Sequence, residues 1–218
     1  MRVGLEDGAV TRDEPTVGRG TLLLADISGY TAFLRAVADA HAADMAAGTF
    51  VPAAYSLLTN LLGGIVDKVA PPFVLSKVEG DAVFAFASDN ELRGRALLDC
   101  VTACYAEYRA RVEEADRLMP CACDACRSIS GLELKFVVHH GEFVVQSVAG
   151  HVELLGPEVT VSHLLLKNHV AELIGRRGYA LVTDRASGEL DVPLDDALAI
   201  TEQYEHYEPV RANVFTLS

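Results

Sequence analysis

No apolar run in this 218-residue chain approaches the eighteen or so residues that cross a bilayer, although half of its residues are hydrophobic, so no membrane-spanning helix is expected. The opening MRVGLEDGAVTRDEPT is charged and lacks an apolar stretch; neither a secretory signal nor an anchor is expected, and a cytoplasmic location follows. Cations are scarce. Eighteen Lys and Arg against 31 Asp and Glu leave a formal charge of −13, which would repel a phosphate backbone. General nucleic-acid binding is therefore excluded, and a nucleotide site would need local cations or metal. Repeats and low-complexity tracts are also missing. The length suits one compact domain with a proper core.

The cysteines number five and fall into two groups. Cys100 and Cys104 lie four apart in a helical pattern with Leu97 and Val101, which assigns them to the core. Cys121, Cys123 and Cys126 crowd a polar stretch, MPCACDACRS. Three thiols at that spacing in a reducing compartment point to metal more than to a disulfide, with redox chemistry or a structural cluster as alternatives. A tetrahedral zinc site would need a fourth ligand: Asp124, His139, His140 or a residue of a partner chain.

Residues 1–18 are polar and bear Gly and Pro, which predicts a flexible arm ahead of a domain over 19–218 with a Cys-rich insertion at about 117–130. Apolar spacing predicts a strand at 21–26 and helices at 31–43 and 52–69. A hairpin follows, its strands at 73–78 and 81–86 turning at Glu79 and Gly80. Asn90 can cap a helix ending near Leu118. A second hairpin is expected around Gly141, from 132–139 and 143–148, then a helix at 158–173 and strands at 179–183, 199–207 and 210–217. This order fits an α+β fold, a ferredoxin-like antiparallel sheet with helices packed on one face.

The stretch TLLLADISGYT carries the chemistry. An apolar strand ends at Asp26, and the amides of Ile27, Ser28, Gly29 and Tyr30 would open a helix whose N-terminus attracts anions. A carboxylate beside such amides suits a metal ion bound to a polyphosphate. Asp26, Ile27, Ser28, Gly29, Tyr30 and Thr31 resemble the Asp-Ile-x-Gly-Phe-Thr signature of class III nucleotidyl cyclases. The run from Lys77 to Asp81, KVEGD, is similar to that family's Lys-x-x-Gly-Asp hairpin, and stretches beginning at Gly141 and Gly156 follow in the family's order.

The resemblance implies that Asp26 and Asp81 hold Mg²⁺ or Mn²⁺, and that Lys77 and Glu153 read a purine base, favouring ATP over GTP. It also implies a homodimer in which the acids of one subunit face residues of the other. The reaction would be attack of the 3′-hydroxyl on the α-phosphorus. Without the resemblance, Asp26 caps a helix, Asp81 sits in a turn, and Lys77 and Glu153 are surface charges. The family pattern breaks at VTVSHL, where Thr160 stands for the usual Asn and Leu164 for the usual Arg. Leucine offers no donor, and an arginine of this kind is worth about 10³–10⁵ in phosphoryl transfer. His163, Lys167 and Asn168 are the neighbouring substitutes, and Arg211 is the cation near the final strands. The expected protein binds a purine nucleoside triphosphate with divalent metal and has weak or absent turnover. The alternatives are an active cyclase with substitute residues, and a cysteine-centred metal or redox protein on the same scaffold.

Overall fold

The computed structural model describes residues 14–48, 50–88, 92–148 and 151–218. The first strand, β1 (Thr16–Ser28), leads into α1 (Tyr30–Ala40), α2 (Ala42–Ala46) and α3 (Ala53–Val69). The hairpin β2 (Val74–Glu79) and β3 (Ala82–Ser88) precedes the long α4 (Arg95–Leu118) and the one-turn α5 (Asp124–Arg127). Then come β4 (Glu133–Val148), β5 (His151–Leu155), α6 (Pro157–Leu164), α7 (Val170–Ile174), β6 (Tyr179–Thr183), α8 (Asp184–Leu190), β7 (Leu198–Glu202) and β8 (Val210–Thr216). The strands form one sheet in the order β2-β3-β1-β4-β6-β8-β7, with β5 added to the far end of β4. The β4–β6 pairing is parallel and the other pairings are antiparallel.

The centre of the sheet is apolar without alternation because both of its faces are covered. On β1, Leu23, Ala25 and Ile27 join the core under α3 and α4, while Leu22 and Leu24 join a second core under α6 and α7. Helices therefore lie on both faces, not on one. The α3 stripe Leu58, Leu61, Ile65 and Val69 and the α4 stripe Leu97, Val101, Cys104, Tyr108 and Val112 are buried at helical spacing. Asp26 shares the parity of Leu22 and Leu24, which puts its carboxylate on the α6 side of the sheet.

Four expectations are corrected. β1 starts at Thr16, inside the segment expected to be an arm; residues 1–13, and the proposed cap Asn90, lie outside the described residues. Gly141 makes no turn, since β4 runs straight through it, facing Gly20 on β1. A side chain at 141 would strike Glu158, whose Cγ lies 2.5 Å from the position of an added Cβ, so the glycine admits α6 against the strand. The helix expected at 158–173 is two helices broken at 165–169, where Asn168 donates to the Leu165 carbonyl (2.7 Å) and accepts from the Val170 amide (3.0 Å). The strand expected at 199–207 ends at Glu202, and the side chain of Gln203 holds the turn that follows through the Tyr204 and Tyr207 carbonyls.

Candidate functional site

Asp26 and Asp81 meet. Asp26 pairs across the ladder with Ala82, the residue after Asp81, and the Ile27 amide donates to the Asp81 carbonyl at 3.1 Å. Burial, and then the negative charge of Asp26, push the Asp81 carboxyl above its ordinary pKa. Ile27 was expected among the anion-facing amides; its N–H is instead spent on fixing the Asp81 turn, and its side chain is fully buried. Ser28 ends β1 opposite Glu133. Gly29 takes the left-handed conformation (φ 91°) that turns the strand into α1, and no side chain caps that helix. The first-turn amides of α1, Tyr30 among them, have no intrahelical acceptor by construction.

Two cations that sequence reasoning missed attend this corner. Lys135, on β4, places Nζ 3.1 Å from Asp26 Oδ2 and 2.9 Å from the Leu166 carbonyl, with only 17% of its side chain exposed. A lone lysine in the apolar run LELKFVV needs a buried counter-charge, and that was the available signal. Arg176, in the loop before β6, carries its Nη2 within 3.1 Å of the position a Cβ on Gly29 would take. Nothing in the local pattern pointed to it, because the loop is brought over Gly29 by tertiary packing alone.

Lys77 and Glu153 also meet, at 2.7 Å, although 76 positions separate them. The edge strand β2 and the added strand β5 bring them together, and Lys77 contacts Glu79 as well at 2.9 Å. The hydrogen bond that Lys77 donates to Glu153, then that to Glu79, push its ammonium above its ordinary pKa. His163 extends the chain of contacts: Nε2 is 3.0 Å from Glu79, Nδ1 is 2.8 Å from the Val159 carbonyl, and the ring stands edge-on to Phe84. Thr160 is exposed and bonds back to the Gly156 carbonyl, and Leu164 is half-buried one turn on. Of the proposed substitutes, Asn168 is consumed by the helix break and by Tyr179 Oη (2.9 Å), Lys167 lies past the end of α6, and Arg211 pairs with Asp184 at 3.1 Å.

Cys121, Cys123 and Cys126 converge on His41, a ligand outside the expected set. His41 Nε2 lies 3.7, 3.5 and 3.4 Å from the three Sγ atoms in that order, and all four donor atoms fall within 4.8 Å of one another, an arrangement that could hold zinc. Cys123 caps α5 by accepting the Cys126 amide at 3.4 Å. That amide, and next the Cys121 thiol, lower the Cys123 thiol to about 6, whereas burial raises Cys126 to about 12. His139 and His140, considered earlier as ligands, are on β4 instead. His139 is buried against Thr183 Oγ1 (2.9 Å) and Glu158 (2.7 Å), and it lines an open groove of about 620 Å³.

Against known proteins, the model of a family described as a protein of unknown function, DUF2652, matches residues 58–173. That span holds Lys77, Asp81, the three cysteines and Glu153, and it excludes Asp26 and His41. The uncharacterised protein Rv2561/Rv2562 of Mycobacterium tuberculosis is 34% identical over 113 residues, 52% of this chain and 52% of that protein, so the match spans about half its length. Among solved structures, the adenylyl cyclase CyaB from P. aeruginosa is similar with a TM-score of 0.61 at 15% identity, covering 94% of this chain and 96% of that one. The guanylyl cyclase Cya2 scores the same 0.61 at 13% identity, covering 93% and 94%. The likeness is one of fold alone, the mixed α+β architecture that those structures share with this chain. Among the described residues no helix is long and apolar enough to cross a membrane.

Proposed function

The chain belongs to the DUF2652 family, and from that premise we propose that it is a class III cyclase-like protein binding a purine nucleoside triphosphate with Mg²⁺ or Mn²⁺, with weak or absent cyclase turnover. The observation that carries this reading is the convergence of Asp26 and Asp81, tied through the Ile27 amide, beside the uncapped N-terminus of α1. Two carboxylates on one corner suit a hard divalent cation, and the ion would supply charge neutralisation at a polyphosphate. Arg176 over Gly29 adds a cation where phosphate oxygens would lie.

In this reading Lys77 and Glu153 present a donor and an acceptor to the base edge, and their direct contact opens to admit it. Both adenine and guanine can use such a pair. The chain acts in the cytoplasm as a homodimer, the exposed face of α6 turned towards the partner's acids. Thr160 and Leu164 on that face carry no cation, which is why binding is favoured over turnover. The test is titration calorimetry with ATP and GTP in Mn²⁺, beside a cyclic-product assay. Nucleotide affinity that Asp26→Ala abolishes, with little or no cyclic product, is the expected result. Equal affinity in the variant and the parent would refute the reading, and rapid product formation would restore the active-cyclase alternative.

A further inference from the structure

We infer that His41, Cys121, Cys123 and Cys126 hold one structural zinc ion, which ties the far end of α1 to the loop that follows α4. The distances fit a tetrahedral ion of zinc's size. Zinc takes thiolate at about 2.3 Å and imidazole at about 2.0–2.1 Å, so the sulfur-to-nitrogen edge of a regular tetrahedron is about 3.5–3.6 Å. The three observed edges, 3.7, 3.5 and 3.4 Å, bracket that length. A chance cluster has no reason to place one imidazole nitrogen equidistant from three sulfurs, and all three thiols are free of disulfides.

The donor set agrees with the geometry. Three thiolates with one imidazole select zinc over the oxygen-preferring Mg²⁺, Ca²⁺ and Mn²⁺. Because the protein supplies all four ligands, no position is left open for water or substrate, which marks a structural site and not a catalytic one. The ion enters as Zn²⁺, the protons still on the thiols leave to solvent, and the loaded cluster of three thiolates and one neutral imidazole carries a net charge of −1.

The placement of the ligands gives the ion its mechanical role. Cys121, Cys123 and Cys126 lie on the stretch that follows α4 and includes α5, with Cys126 fully buried against the main core. His41 stands at the corner between α1 and α2, where its amide closes α1 on the Val37 carbonyl and its carbonyl receives the Met45 amide that begins α2. Among the described residues no side chain caps the N-terminus of α1, and the helix carries only two fully packed residues, Phe33 and Val37. Zinc therefore supplies the anchor that an 11-residue helix with so little burial lacks. This inference stands apart from the nucleotide reading, since it concerns the other end of α1.

The experiment uses the full chain, purified without a polyhistidine tag. Elemental analysis is expected to find one zinc per chain, and replacement by Co²⁺ is expected to give the thiolate charge-transfer absorption of a tetrahedral site. His41→Ala should lower zinc affinity at least about a hundredfold, since even the loss of outer-shell partners costs 10–100-fold. Hydrogen exchange across residues 30–40 should speed up when zinc is stripped from the parent chain. A parent chain that takes up no zinc on reconstitution, a cobalt form without the charge-transfer band, or His41→Ala binding zinc unchanged would each overturn the assignment. Should His41→Ala fail to fold, the cobalt spectrum of the parent decides. All readouts are made without nucleotide, so failure of the nucleotide proposal leaves them untouched.

Discussion

Replacing Lys135 by methionine isolates the cation that already sits at the acid pair. The ion pair to Asp26 spans 3.1 Å, with 17% and 15% of the two side chains exposed. At an effective dielectric of about 20 the direct attraction is about 5 kcal/mol, and part of it offsets the desolvation of both groups. Breaking one partner of a buried pair costs about 3–5 kcal/mol, and the residual exposure here brings the expected loss to about 2–3 kcal/mol. For a chain of this size that corresponds to a fall in Tm of about 5–10 °C.

With the ammonium gone, Asp26 and Asp81 have no cation between them, and a divalent ion at about a hundred times its Kd returns about 2.7 kcal/mol. Thermal unfolding followed by circular dichroism, in EDTA and in Mn²⁺, should show Lys135→Met strongly destabilised without metal and largely restored with it. The parent chain should shift less on adding Mn²⁺, because Lys135 competes for the same acids. A cycle with Asp26→Asn should give a coupling above about 1 kcal/mol. Additive effects, or a Mn²⁺ shift in Lys135→Met no larger than in the parent, would refute the reasoning.

Asp81→Asn should stabilise the metal-free chain at neutral pH. The raised carboxyl binds its proton more tightly folded than unfolded, so the stability it contributes is present below the unfolded pKa and is lost as pH rises through the folded one. Melting curves from pH 4 to 8 should show the variant's advantage growing with pH, alongside loss of the Mn²⁺ response; an advantage largest at pH 4 would contradict the sign. Arg176→Ala should weaken triphosphate affinity by about tenfold in calorimetry while leaving Tm nearly unchanged, because an exposed guanidinium contributes little to stability. Tyr108 buries its hydroxyl on α4 with no hydrogen-bond partner among the described residues, so Tyr108→Phe should raise stability by about 1 kcal/mol in urea unfolding. A loss of that size would mean the hydroxyl is satisfied.

The convergence of Asp26 and Asp81 was legible from local chemistry, since Asp26 closes an apolar strand and Asp81 follows a turn, whereas the contact of Lys77 with Glu153 was legible only through the family resemblance. Gly141 misled, since a glycine between two apolar runs signals a turn as readily as close packing, and only the position of Glu158 distinguishes them. His41 was invisible for a different reason. It is 80 positions from Cys121, in a helical stretch with no motif around it, and only the packing of α1 against α5 makes it a neighbour. Lys135 was written in plain view in an apolar strand, but its partner was fixed by the β1–β4 register.

That register also governs how the molecule is made. Thr16 pairs with Val145 and Ser28 with Glu133, so β1, once synthesised, waits for more than a hundred further residues before its longest partnership can begin. At about 5–20 residues per second the delay is about 5–25 s. Throughout it the greasy run Leu22, Leu23, Leu24 has no finished sheet to enter, and a nascent chain in that state is a natural client for a holding chaperone.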